Sequence, residues 1–253
     1  MIDTHAHLNF EAFNTDLSQV IEQSFSDGIE GIIVPGSNLN NSTLGAEIAN
    51  NHHGIFAAAG IHPSHVDDLK ANWQAIILNL ALQQNVVAIG EVGFDFINRP
   101  DSNGNAQTML LHNFIDIANT AKLPIILHSR ESENEIIKII MNHKPQYGCV
   151  LHCFCGDAKM ANLAISAGML LSFTAMITYP KNQYIRDIIA LLPHDMIMIE
   201  TDSPYLPPQS KRGQRCEPKD VAEVAWQIGQ IWKKDVEYVD KVTSDNAKAF
   251  FHI

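Results

Sequence analysis

Residues 124–153 read PIILHSRESENEIIKIIMNHKPQYGCVLHC. Two short apolar runs, 124–128 and 149–153, flank a longer amphipathic stretch over 132–142. Runs this short, rich in Ile and Val and almost free of internal polarity, are the signature of parallel strands buried on both faces. The stretch between them is long enough for the helical crossover that a parallel pair requires. The first run ends in His128, and the second carries His152 one residue before its end.

The same unit extends in both directions. Further strands are expected over 1–8, 29–35, 55–61, 86–92, 169–173 and 196–201, and further helices over 16–27, 44–51, 73–84, 107–121, 158–167 and 183–192. The tail adds two helices, 221–233 and 237–251. Eight strands with helical crossovers predict an α/β fold, a (β/α)8 TIM barrel, in preference to an open doubly wound sheet. A length of 253 residues suits one such barrel. No linker divides the chain, so residues 1–253 are read as a single domain. Two irregular stretches, 98–105 and 204–218, follow the fourth and eighth strands, where barrel enzymes carry their working loops.

Composition narrows the function. With 46% hydrophobic and 18% charged residues, wholesale disorder is excluded. No apolar run approaches the roughly 18 residues that span a bilayer, so no membrane partner is expected. The opening MIDTHAHL lacks the basic and apolar regions of a secretory signal. Cys149, Cys153, Cys155 and Cys216 are too unevenly spaced for a disulfide framework, and C-x-x-C is missing. A reducing, cytoplasmic setting is the expectation. Seventeen basic against 28 acidic residues leave a net charge of −11, which excludes a nucleic-acid-coating module. It leaves nucleic acid open as a substrate, because bound metals reverse the sign of their carboxylate ligands locally.

The polar residues cluster at the strand ends. The first strand ends D-T-H-A-H, and alternation puts Asp3, His5 and His7 on one face. Two imidazoles at the mouth of an apolar barrel are costly unless paired or ligated, and His-x-His chelates a divalent ion. The fourth strand supplies Glu91 and Asp95, the fifth His128, the sixth His152 and the eighth Asp202. Any one of these alone could be a polar cap on a core strand. Together, at one face, four imidazoles and two carboxylates suit a pair of divalent ions with one carboxylate bridging. His62 in G-I-H-P and Arg130 are candidates for phosphate contact, with local capping as the other reading of His62. Glu200 shares a strand face with Asp202 and reads as support for the ligands. His52, His53, His65, His112, His143, His194 and His252 read as exposed or helical, Cys153 and Cys155 as buried structural thiols, and Trp73, Trp226 and Trp232 as packing residues.

The ordered set DTHAHL, GIHP, GEVGFDF, PIILHSRE, LHCFCG, ETDSPYLPP, RGQRCEP and DNAKAFF resembles the TatD family of metal-dependent deoxyribonucleases nearly end to end. The resemblance implies one metal on His5, His7, Glu91 and Asp202, and a second on Glu91, His128 and His152. It also implies hydrolysis of DNA, often 3′-to-5′ on single strands. Two departures stand out. The family commonly has Tyr where this chain has Phe96, and Asn where it has Cys216. The mechanism expected is attack by metal-activated water, with Glu91 bridging and Asp202 as general base. Four imidazoles favour Mn2+ or Zn2+, while the resemblance implies Mg2+ as a working ion. The alternatives are an aminoacyl-tRNA deacylase, an amidohydrolase acting on C–N bonds, and a non-catalytic metal-binding protein. Amidohydrolases commonly bridge their metals with a carboxylated lysine where this chain has Glu91.

Overall fold

A computed structural model describes residues 1–98 and 105–253. Its sheet has eight strands: β1 (Ile2–Asp3), β2 (Gly31–Pro35), β3 (Ile55–Ala59), β4 (Val86–Asp95), β5 (Ile125–Arg130), β6 (Cys149–Leu151), β7 (Leu170–Phe173) and β8 (Ile197–Ile199). They pair in sequence order and all in parallel. The helices are α1 (Leu17–Ser26), α2 (Leu39–Asn51), α3 (Trp73–Ala81), α4 (Asn105–Ala121), α5 (Glu133–Asn142), α6 (Ala158–Ser166), α7 (Gln183–Ile189), α8 (Val221–Trp232) and α9 (Val236–Phe251). This is the expected (β/α)8 barrel. Of the loop expected over 98–105, residues 99–104 lie outside the described residues. Among the described residues, no helix is long and apolar enough to cross a membrane.

The barrel closes through backbone bonds just past the ends of its first and last strands. Thr4 N–H donates to Ile199 O at 3.2 Å, Asp202 N–H to His5 O at 2.8 Å and His7 N–H to Ser203 O at 2.8 Å. The Asp3 carboxylate adds a side-chain latch: Oδ1 accepts from Thr201 N at 2.9 Å, and Oδ2 from the Thr201 hydroxyl at 2.6 Å.

This latch overturns one expectation. Asp3 stands opposite Ile32, a member of the large cluster between strands and helices, so it does not share a face with His5 and His7. Alternation fails because β1 stops at Asp3 and the chain then turns into the barrel mouth. The expected strands over 149–153 and 196–201 also stop early, at Leu151 and Ile199, for the same reason. In the other direction β4 runs on to Asp95.

Two apolar clusters build the core. The larger fills the layer between strands and helices, including Ile136, Ile137 and Ile140 on the inner face of α5. The smaller comprises Ile2, Ile33, Ala58, Val87, Ala88, Ile126, Val150 and Met198 from the strands, with Ala247, Phe250 and Phe251 from α9. Side chains drawn from around the sheet and meeting in one cluster fill the barrel's inside. The end of α9 therefore floors the barrel below the strands' N-terminal ends. Gly148, at φ +93° just before β6, leaves the space that Phe250 takes. At the opposite end, a Cβ on Gly93 would run into the His128 carbonyl oxygen, so glycine lets β4 and β5 approach closely beside the site.

Trp73 and Trp232 are buried, but Trp226 is 51% exposed on α8, against expectation. It follows Ala225 on a helix whose inner face is set by Val221, Val224, Ala225 and Ile228, and so points outward.

The latch gives a stability prediction. Asp3→Ala removes a fully buried carboxylate and orphans the Thr201 hydroxyl and amide, so unfolding in urea should come about 2–4 kcal/mol earlier. Asp245→Ala, which breaks only an exposed pair with Lys241, should leave the unfolding midpoint essentially where it is in the parent. Equal effects from the two variants would contradict the latch.

Candidate metal centre

The barrel mouth gathers His5 and His7 from beyond β1, His62 from beyond β3, Glu91 from β4, His128 from β5, His152 from beyond β6, and Asp202 from beyond β8. Inward parity carries several of them there. Ile126 and Val150 point inside, so His128 and His152, two residues on, do too. Asp202 takes a left-handed conformation at φ +60°, which Asp tolerates better than most residues and which its amide bond to His5 O holds in place.

One donor set has the spacing of a single ion's ligands. His5 Nε2 and His7 Nε2 lie 3.2 Å apart. They stand 3.5 and 3.6 Å from Glu91 Oε2, and 3.7 and 3.4 Å from Asp202 Oδ1. Tetrahedral ligands about 2.1 Å from an ion lie about 3.4 Å from one another. Ring nitrogens and carboxylate oxygens at that mutual spacing fit a divalent cation.

The second Glu91 oxygen faces a different pair. Oε1 accepts from His128 Nδ1 at 2.5 Å and lies 2.8 Å from His152 Nε2, with those two nitrogens 3.1 Å apart. His62 Nε2 approaches the same oxygen at 3.8 Å. His5, His7 and Asp202 form one group able to hold a metal ion, and His62, Glu91 and His128 another. A third, His5, His152 and Glu200, arises because the two imidazoles stack at 4.0 Å. None of these groups includes a cysteine.

Burial alone would raise the Glu91 carboxyl, but the charges of His152 and His128 outweigh it and hold the group well below the usual carboxylate range. Asp202 is held low in the same way, burial being outweighed by His7 and His5. Burial would lower His128 and His152, and Glu91 raises both instead. His5 moves down, from burial and the nearby His152.

Carboxylates behind the centre orient its rings. Glu200 Oε1 lies 3.4 Å from His152 Nδ1 and accepts from Cys153 N at 2.6 Å, while Oε2 accepts from the Ser172 hydroxyl at 2.6 Å. The support expected of Glu200 has this geometry. Asp95 Oδ2 lies 3.6 Å from His128 Nε2, and its oxygens also accept from the Ile97 and Asn98 amides and the Asn98 side chain. A carboxylate behind a histidine fixes the ring's tautomer and strengthens it as a ligand.

The local capping expected of His62 is present. Nδ1 accepts from Ser64 N at 3.1 Å, capping the turn over Pro63–Asp68, while Nε2 faces Glu91. Burial, aided by His128, pushes its pKa down to about 3, so the ring is neutral. Arg130 stands exposed at the end of β5, outside the ring of donors. The sequence reading missed Ser172, whose inward parity follows from its pairing with Met198, and the rings of Phe10 and Tyr205, each three residues past a metal-site residue.

The remaining residues are peripheral. His112 and His143 meet each other on the outer surface, Nδ1 to Nδ1 at 2.7 Å, and His194 stacks on Trp232 at 3.7 Å. Cys153 and Cys155 are half-buried rather than buried, and Cys155 Sγ donates to Cys153 O at 3.0 Å. Phe96 stacks beside Phe94 at 5.7 Å, an apolar site where a hydroxyl is not required. Cys216 is fully buried with its amide bonded to Pro204 O at 3.1 Å. Its neighbour Arg215 is spent on structure, clamping Asp16 at 2.6 Å and Glu217 at 2.9 Å.

Orientation by Glu200 is testable apart from catalysis. Glu200→Gln should weaken metal binding about 10- to 100-fold in competition with a chromophoric chelator. Unchanged affinity would leave Glu200 a core hydrogen-bonding residue only.

Comparison with known proteins gives the family. The family model described as TatD related DNase matches residues 2–252. The metal-dependent hydrolase YabD of Bacillus subtilis is 34% identical, covering 100% of this chain and 99% of its own. A 3′-5′ ssDNA/RNA exonuclease TatD from a Rahnella species is 30% identical over 99% and 98% of the two chains. Among solved structures, the TatD homologue YJJV of Escherichia coli superposes with a TM-score of 0.92 at 27% identity, covering 100% of this chain and 98% of that one. The chain belongs to the TatD-related DNase family and is an enzyme, a metal-dependent hydrolase.

Proposed function

We propose that this protein is a deoxyribonuclease, a 3′-to-5′ exonuclease on single-stranded DNA, whose residues 1–253 work as one hydrolase domain around two divalent ions. The observation that carries the reading is Glu91, whose two carboxylate oxygens face two different pairs of imidazoles. Similarity to a protein named as a 3′-5′ ssDNA/RNA exonuclease supports the substrate class. His5, His7, Glu91 and Asp202 would hold one ion, and Glu91, His128 and His152 the other. Mn2+ or Zn2+ suits the imidazole-rich donors, with Mg2+ as a working ion. Divalent ions bound there lower the pKa of water toward neutrality and offset charge on the phosphate oxygens.

The chain's own groups do the rest. Asp202 is held ionised by His7 and His5 and is placed to take the proton of the attacking water. The water oxygen bonds to phosphorus, the bond from phosphorus to the leaving oxygen breaks, and the proton passes from Asp202 to that oxygen. Glu91 serves catalysis by fixing negative charge between the two sets of histidines. His62 is neutral, and because Nδ1 accepts from Ser64 N, the ring proton sits on Nε2 and can donate to a phosphate oxygen. Arg130 supplies a cation for a flanking phosphate. The four unpaired cysteines fit a reducing cytoplasm.

The test is cleavage of 5′-labelled single-stranded DNA by EDTA-stripped protein restored with Mg2+, Mn2+ or Zn2+, beside Glu91→Gln. A metal-dependent ladder shortening from the 3′ end, lost by at least about 100-fold in Glu91→Gln, is expected. Intact DNA under every metal would sink the reading and turn attention to aminoacyl esters and amides.

A further inference from the structure

Phe10 and Tyr205 stand on the two loops that also deliver His7 and Asp202. The Phe10 ring lies face to face with the His7 imidazole, 4.2 Å between centroids and 16° from parallel. Tyr205 is rooted as firmly, its backbone N–H donating to Asp202 O at 3.0 Å. The two rings meet edge to face at 6.2 Å, yet Tyr205 remains 53% exposed. A single exposed aromatic ring is ordinary on a protein surface. An exposed ring fixed three residues from one metal-site residue, and braced by a ring stacked on another, is a prepared surface beside the reacting centre.

A ligand that uses both features must offer a flat π-face and, one short spacer away, an anionic group for the ions. A nucleotide has that construction. We propose that Phe10 and Tyr205 form a stacking shelf, with Tyr205 receiving the nucleobase next to the phosphodiester under attack. This inference rests on the phosphodiesterase reading above and deepens it. A base lying on Tyr205 has parted from its neighbour in the strand, which a single strand permits readily and a duplex resists because it must first unpair. The shelf therefore selects unpaired ends, and it does so without reading sequence, since every base has a π-face.

The test compares Tyr205→Ala, Tyr205→Phe and a remote aromatic control, Trp226→Ala, after their thermal melts have been matched to the parent. Each cleaves two single-stranded oligonucleotides that differ only at the 3′-terminal nucleotide, which has or lacks its base. On the ordinary strand, Tyr205→Ala should raise KM about tenfold or more with a smaller change in kcat, while Tyr205→Phe and Trp226→Ala stay within about twofold. On the base-less strand, the Tyr205→Ala effect should shrink to about twofold or less. Equal losses on both strands, an unchanged KM, or a Tyr205→Phe loss as large as that of Tyr205→Ala would each overturn the shelf and leave the nuclease standing. Failure of the parent protein to cleave either strand overturns the underlying reading, and the shelf with it.

Discussion

A single buried carboxylate organises the mouth of this barrel. Glu91 is 3% exposed and sits where the barrel would otherwise hold branched apolar side chains. An ionised group there loses its hydration and is tolerated only with close compensating partners. Five imidazoles supply them, those of His5, His7, His62, His128 and His152. The dependence is mutual, because imidazoles this deeply buried would be unfavourable without the carboxylate. The rest of the mouth holds this arrangement to fixed distances.

That task falls to a layer of polar contacts outside the donors. Glu200 and Asp95 stand behind His152 and His128, and Glu200 is itself held by Ser172 and the Cys153 amide. Asp3 joins the first and last strands from the helix side, which fixes the loops carrying His5, His7 and Asp202. Arg215 ties the long loop after β8 back to Asp16, before α1. Hydrogen bonds that hold Glu200, Asp95 and Asp3 in place limit the movement of the carboxylates on which the site leans.

Much of this was legible in the sequence, for reasons specific to each position. His128 could be read because it lies in a regular strand, where a period of two fixes the facing direction, and His152 because it follows β6 directly with its amide still bonded to Leu127 O. The approach of Ser172 to the centre was legible by the same rule but is easily passed over on a strand otherwise apolar. Asp3 was misread because the rule was extended past the point where β1 leaves the sheet, and the signal that ends it, a backbone bond to β8, is some 200 residues away in the chain. Helix starts were legible where the apolar period sets in with the first turn, as at Trp73 and Gln183, and were missed where a polar first turn is held by a cap. Asn38 accepts from Asn41 N at 2.9 Å and begins α2 five residues before the expected start at 44. The roles of Phe10 and Tyr205 depend on how two loops meet, which no local pattern encodes.

The floor contributed by α9 bears on how the chain is made. Phe250 and Phe251 complete the cluster that Ile2 begins, so the interior draws on segments far apart in the chain. A ribosome delivers Ile2 well before these phenylalanines. Until α9 emerges, the lower ends of the strands stand open, with Ile2, Ile33, Ala58 and Val150 turned toward solvent. Contacts between distant parts of a chain form slowly, and partly built sheets expose edges that pair with other chains. The growing polypeptide thus carries an unfinished, adhesive barrel until α9 has been made.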